Sequence, residues 1–464
     1  MLDIVINNGH VIDPLNRISS KLNIGLNNNK ITCISNKQLT GAIEINAEKL
    51  IVAPGFIDMH MHEDLYNAKD DVFEDCISNA MLNMGVTTVV GGNCGLGPKN
   101  PIEYLDAVDR KGYPINIAMF APHESLRNTF GDFNKYGPID NKSIEKMAKL
   151  LQQQLDEGCI GLSLGIEYIP GISQYEATEL MKVAAKNHKL VAVHQRGDAE
   201  RAIPSIEEIV NCAMSSNAAL QISHISSMCS FGQMEEALSA IDYYKSQGLD
   251  IGFDCYPYYA FCTFIGSAVF DEGFLEKFNL NDDAYTKLQM TSGEFAGKSC
   301  TKETFTAQRN KDPNALVIAH LLREEEVDMA IAHPASIVVS DGLYNNGQGH
   351  PRGSGTFPRL VNEFVNKKKL FSLETAIEKM TCLPSKRMGF QSKGNLGIGS
   401  DADITIFDLN AIEDCATYIE PLKRPTGIEY VIIGGEIALK KGVILNNKLG
   451  KSIRNEVITN GENA

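Results

Sequence analysis

The sequence predicts an α/β protein: a (β/α)8 TIM-like barrel with a small β-sandwich domain built from both ends of the chain. Three observations predict it. Eight short apolar runs alternate with helix-length amphipathic stretches through the middle, the pattern of βα units and a parallel sheet. Both ends carry short alternating segments broken by Asn, Gly and Lys. The length of 464 residues suits one large barrel plus a smaller partner.

The elements follow in order. Leu2 to Ile6, Leu22 to Leu26 and Lys30 to Ile34 read as strands joined by tight turns, giving residues 1–50 to the small domain. The eight central runs are Ile51 to Asp58, Thr87 to Gly91, Ile115 to Phe120, Gly161 to Leu164, Leu190 to His194, Leu220 to His224, Ile251 to Tyr256 and Ile337 to Ser340. Helical patterns follow most of them, as at Ile144 to Asp156, Glu176 to Asn187 and Gln233 to Ser246. Residues 51–394 are the expected barrel. The interval after the seventh strand is too long and reads as an insertion over about 263–312, in the position of a lid. Residues 395–464 return to strand texture at Asp403 to Phe407, Tyr430 to Ile433 and Glu436 to Leu439, and Lys451 to Ala464 reads as a loose polar tail.

Composition narrows the class. Hydrophobic residues are 43% and charged residues 22%, a soluble balance. A net charge of −15 argues against nucleic acid and anionic membrane as partners. Eleven cysteines at irregular spacing read as reduced thiols. The first residues lack a basic region and a long apolar core, so no signal peptide is expected, and no run reaches membrane-spanning length. The expectation is a cytoplasmic protein acting on a small molecule, with room for a homo-oligomer.

In such a barrel the reactive groups sit at the C-terminal ends of the strands. The first run ends in Asp58-Met59-His60-Met61-His62, and residues two apart in an extended chain point the same way. Both imidazoles can face one metal ion. The second run leads to Gly91-Gly92-Asn93-Cys94-Gly95, where Cys94 is either a ligand or a buried inert thiol. His194 and His224 end the fifth and sixth runs and converge above the barrel. Asp341 follows the eighth run, placed to hold a metal and accept a proton. His188 and His333 fall on helices, and His320 fits none of the eight runs.

With Pro54-Gly55-Phe56-Ile57-Asp58-Met59-His60-Met61-His62 and Asp341, the chain resembles the amidohydrolase superfamily. Gly85-Val86-Thr87-Thr88, Asn93-Cys94-Gly95, Gly161-Leu162-Ser163, Asp254-Cys255-Tyr256-Pro257-Tyr258, Ser340-Asp341-Gly342, His350-Pro351-Arg352 and Gly355-Thr356-Phe357-Pro358-Arg359 make it most similar to the N-acyl-D-amino-acid deacylases, or D-aminoacylases. The resemblance implies one or two Zn2+ ions. It implies His60 and His62 on the α-metal, His194 and His224 on the β-metal, Cys94 bridging, and Asp341 as an α-ligand and catalytic acid/base. Arg352 then corresponds to the arginine that grips the substrate carboxylate, and Tyr256 and Tyr168 to pocket tyrosines. Two positions depart from the pattern. Ser226 stands where relatives carry a lysine, and Cys262 where they carry a small hydroxyl residue, with Thr263 next. In the relatives that lysine helps hold the substrate carboxylate, so its loss widens the candidates from ordinary N-acyl-D-amino acids to related compounds with a neutral, cyclic or less anionic group.

Three other readings stand beside the deacylase. A cyclic-amide hydrolase of the dihydropyrimidinase or dihydroorotase kind shares the chemistry but favours a carboxylated lysine bridge. A deaminase of the superfamily would release ammonia. A non-catalytic barrel scaffold would be expected to have lost some of the six ligands.

Overall fold

A computed structural model describes residues 1–130 and 134–454. It is a mixed α/β structure. Phe56–Asp58, Val86–Gly91 and Asn116–Met119 pair in parallel. A second all-parallel sheet runs Ala121–Pro122, Gly161–Gly165, Leu190–His194, Leu220–Ile222, Ile251–Cys255 and Ser336–Val338. The third predicted run, Ile115 to Phe120, gives the strand Asn116–Met119, and Ala121–Pro122 just past its end pairs with the second sheet instead. The exits of the last and first strands are joined by main-chain bonds. Asp341 N donates to His60 O at 2.8 Å, and His62 N donates to Gly342 O at 2.9 Å. These strands are apolar because most are buried on both faces; every residue of Val86–Gly91 and Leu190–His194 is buried.

Ile51 to Asp58 is two strands, not one. Ile51–Pro54 belongs to the terminal sheet, pairing with Leu2–Asp13 and Ile404–Phe407, and only Phe56–Asp58 joins the central strands. The break is physical. Pro54 has no N–H for a ladder, the Gly55 N–H turns to Asp403 O at 2.8 Å, and a Cβ at Gly55 would lie 2.1 Å from Thr87 Oγ1. The strands from both ends form one nine-stranded sheet, with its own core around Ile4, Ile24, Ile404 and Ile432.

The helices begin where caps allow. Asn141–Glu157 starts after Asp140, whose carboxylate accepts from Ser143 N, and Gln174–Lys186 starts after Ser173, which accepts from Glu176 N. The excursion after the seventh strand is longer than its composition indicates. Phe261–Phe264 and Leu288–Met290 both pair antiparallel with Leu316–Ala319, so it spans about 261–319 around a cluster of Phe270, Phe274, Tyr285 and Phe305, mostly in edge-on contact. His320 leaves its last strand and meets Gln289 at 3.1 Å. Lys451 to Arg454 is not loose. Ser452 bridges Ile117, and Arg454 pairs with Asp106 at 2.7 Å. The rest of the expected tail, 455–464, lies outside the described residues. Among the described residues no helix is long and apolar enough to cross a membrane, and all eleven cysteines are free.

Candidate metal centre

The loop carrying Cys94 is held from three sides. Ser163 Oγ accepts from Gly95 N at 3.0 Å and donates to Gly92 O. Asn93 Nδ2 donates to Val90 O at 2.9 Å. Gly92 N donates to Glu63 Oε2 at 2.7 Å. Gly165 is required beneath it, since a Cβ there would sit 1.9 Å from Cys94 O. Cys94, His224 and Asp341 all adopt left-handed backbone, with φ of 54°, 32° and 48°. Such backbone costs a non-glycine residue about 1–3 kcal/mol and persists where surroundings over-determine it, commonly at functional sites.

The six predicted ligands meet. His60, His62, Cys94 and Asp341 place one donor atom each within 4.8 Å of one another, and so do Cys94, His194 and His224. Cys94 belongs to both sets, with Sγ 3.3 Å from His60 Nε2 and 3.3 Å from His224 Nε2. Asp341 Oδ1 lies 3.5 Å from His60 Nε2 and 3.4 Å from His62 Nε2. The outer ring nitrogens are oriented by partners. His60 Nδ1 meets Asp254 at 3.2 Å, His224 Nδ1 meets Ser227 Oγ at 2.9 Å, and His194 Nε2 meets Glu167 at 3.0 Å. His194 Nδ1 is left buried with no hydrogen-bond partner.

The electrostatics follow from this crowding. Burial alone would raise the Cys94 thiol, but the imidazoles of His60 and His224 outweigh it and hold the thiol well below its ordinary range. Burial works against a charged His62, yet Asp341 and Cys94 raise it to about 9. Burial likewise opposes a charged His194, which Cys94 and Glu167 raise to about 9. Burial would raise Asp341, but Arg352 and the histidines keep it ionised. Thiolate, carboxylate and imidazoles thus favour one another's charged forms, and a divalent cation bound by deprotonated donors would take the place of the imidazole protons. Imidazole and thiolate donors with an orphaned ring nitrogen fit zinc.

Arg352 is buried beside this group. Its Nη1 is 2.9 Å from Asp341 Oδ2, its Nη2 donates to Cys262 O at 3.2 Å, and the guanidinium stacks on Tyr256 at 4.6 Å. Its Nε has no hydrogen-bond partner. Tyr168 packs against His194 and reaches Thr263 Oγ1 at 3.3 Å. Tyr168, Cys262, His194, His224, Asp341 and Arg352 help to line a cavity of about 20 Å³, room for about one water. Ser226 does not line it; its hydroxyl is buried in the helix Ile225–Cys229 without a partner, and the neighbouring Ser227 faces His224. A cavity of about 860 Å³ lies at the opposite ends of the strands, beside Leu190, Ala219, Ile251 and Ile337, and includes none of the six predicted ligands.

Sequence reading missed Glu167, Asp198 and Lys277. Lys277 comes from the insertion and places Nζ 2.9 Å from Glu167 and 2.8 Å from Asp198. Glu167 lies two residues beyond the fourth strand, so strand-end logic could have found it. A lysine in a long insertion gives no such signal. Asp254, an acid inside an apolar strand, was visible as part of a motif but not as a partner of His60.

Models of the amidohydrolase family match residues 51–227 and 330–439. An N-acyl-D-glutamate deacylase from Alcaligenes xylosoxydans xylosoxydans is 30% identical over 94% of this chain and 93% of its own length. The chain belongs to the amidohydrolase family. A D-aminoacylase from the same organism is 28% identical, covering 93% of each chain. Among solved structures, this amidohydrolase is similar to the N-acyl-D-glutamate deacylase of Bordetella bronchiseptica, solved with zinc and a phosphonate mimic of the tetrahedral intermediate. The two share 27% identity with a TM-score of 0.87, over 98% of this chain and 99% of that one. A D-aminoacylase structure matches at 25% identity and a TM-score of 0.86, over 98% and 100% of the two chains.

Proposed function

We propose that this amidohydrolase is a zinc-dependent enzyme that cleaves the amide bond of an N-acyl-D-amino acid or a related N-acyl compound. The observation that carries the reading is the pair of donor sets sharing Cys94, with the buried Arg352 beside them. The similarity to deacylases over nearly the whole chain supports it. We take residues 51–394 as a (β/α)8 barrel and the flanking 1–50 and 395–464 as one small β-domain, in a cytoplasmic protein whose thiols stay reduced.

Under this reading His60, His62, Cys94 and Asp341 would hold one ion, and Cys94, His194 and His224 a second. Bound zinc supplies Lewis acidity and lowers the pKa of its water to about 7. Asp341, kept ionised by Arg352, takes the proton of the attacking water at Oδ1 and returns it to the leaving nitrogen. The guanidinium of Arg352, stacked on Tyr256, offers its unpartnered Nε to the substrate carboxylate, where a planar fork suits two oxygens. Tyr168 and Cys262, which line the small cavity beside the donor sets, would contact the remainder of the substrate. Cys94 favours this over a cyclic-amide hydrolase, which uses a carboxylated lysine bridge.

The test is a screen of the zinc-loaded protein against N-acyl-D- and N-acyl-L-amino acids, dipeptides and cyclic amides. Release of the free amine from N-acyl-D compounds is expected. Turnover confined to cyclic amides, or release of ammonia, overturns the reading.

A further inference from the structure

Two buried polar side chains in the central strands lie behind the predicted ligands. Gln221 lies in Leu220–Ile222 and Asp254 in Ile251–Cys255, and both are fully buried. A buried carboxylate is costly unless its oxygens are satisfied. Both oxygens of Asp254 are. Oδ1 accepts from His60 Nδ1 at 3.2 Å and from the backbone N of His224 at 2.7 Å, and Oδ2 accepts from Gln221 Nε2 at 2.9 Å. Gln221 Oε1 in turn accepts from Arg387 Nε at 2.9 Å. Arg387 is fixed by the carbonyl of Leu220 and the carboxylate of Asp250. Gly252 leaves room for this relay, since a Cβ there would lie 2.8 Å from Gln221 Oε1.

We propose that Asp254 is a positioning residue shared by both halves of the metal centre, braced from the far end of the strands by Gln221 and Arg387. The inference rests on the metal-hydrolase reading above. One carboxylate oxygen does two things. Accepting from His60 Nδ1 fixes the tautomer and turns the Nε2 lone pair toward Cys94 and Asp341, as ligand-orienting carboxylates do. Accepting from His224 N holds that residue's backbone at φ 32°, the strained turn that brings its Nε2 to Cys94. His60 and His224 lie in different donor sets, so a change at Asp254 reaches both.

The experiment measures metal binding and spectroscopy alongside activity, in D254A, D254N and Q221M. Zinc and cobalt affinities are taken by chelator competition, the visible spectrum is recorded with cobalt, and kcat and KM are separated. Loss of an orienting partner typically costs about 10–100-fold in metal affinity. D254A is expected to lose that much at both half-sites, with shifted cobalt bands and a fall in kcat larger than any change in KM. D254N keeps an oxygen to accept from His60 and His224, and is expected to recover most of the cobalt spectrum while binding metal several-fold more weakly. Q221M, which frees only Oδ2, is expected to fall between D254N and the parent. If D254A does not fold, D254N and Q221M decide. Parental affinity and cobalt spectrum in both, or a loss confined to one half-site, overturns the proposal. A parent chain that binds neither zinc nor cobalt defeats the metal-hydrolase reading instead.

Discussion

Replacing Lys277 with Met tests whether the insertion is wired into the centre or merely covers it. The ammonium of Lys277 lies 2.9 Å from Glu167 Oε1, 2.8 Å from Asp198 Oδ1 and 3.2 Å from the Val269 carbonyl, with its side chain about 10% exposed. Methionine keeps the stem and removes the charge, leaving two buried carboxylates facing each other. Breaking a buried ion pair from one side costs about 3–5 kcal/mol. Unfolding entropy of about 2.1 cal/mol/K per residue makes 1 kcal/mol worth roughly 1 °C for a chain of this length, so Tm should fall by about 3–5 °C. The pH dependence has a definite sign. Burial and then Glu167 already raise Asp198 to about 7, and Lys277 is what opposes them. A carboxyl raised in the folded state loses stability as pH rises from its unfolded value through its folded one. Without Lys277 that window extends upward, so the deficit of K277M should be larger at pH 8 than at pH 6. Calorimetry of the zinc-loaded protein at both values reads this, with K277R as the charge-preserving control. A K277M protein within about 1 °C of the parent at pH 8, or an equal loss at both pH values, refutes the reasoning.

Asp341→Asn should keep its zinc while kcat falls by about 10³-fold or more, and activity above a few per cent of the parent contradicts the proton-transfer role. Cys94→Ala removes a donor from both sets, so zinc per chain should drop on elemental analysis; unchanged zinc shows that Cys94 is no ligand. Glu176 is fully buried; burial would raise it, but His123 and Arg127 hold it at about 2. Its contribution, on the order of 3 kcal/mol, is present above the unfolded carboxyl value and lost as pH falls toward 2. Glu176→Gln should therefore lower stability at neutral pH and flatten the acid limb, and an acid denaturation curve identical to the parent's argues against it.

The donor sets were legible because strand chemistry makes them so. An apolar strand ending in His60-Met61-His62, or in His194, places its donors at the C-terminal ends of the strands whatever the loops do. Cys94 was legible as a possibility only, since a buried thiol looks the same in sequence whether or not it faces a metal. Its place in both donor sets became visible in the structure, where Ser163 and Gly165 shape its loop from another strand. The split at Pro54-Gly55 was hidden by an unbroken apolar run, because hydrophobicity does not report which sheet a strand joins. Ser226 was singled out by its offset from His224, where relatives carry a lysine, and the left-handed turn at His224 places it in the helix Ile225–Cys229. Lys277 could not be foreseen at all, because the path of a long insertion depends on tertiary packing.

The central claim is that two metal positions share Cys94. Anomalous diffraction at the zinc edge, from crystals grown with zinc, measures it most directly. Density is expected within the His60, His62, Cys94 and Asp341 set, within the Cys94, His194 and His224 set, or in both, with Cys94 Sγ about 2.3 Å from any ion found. Zinc-replete crystals with no peak in either set, or with the peak bound only by other residues, would contradict it.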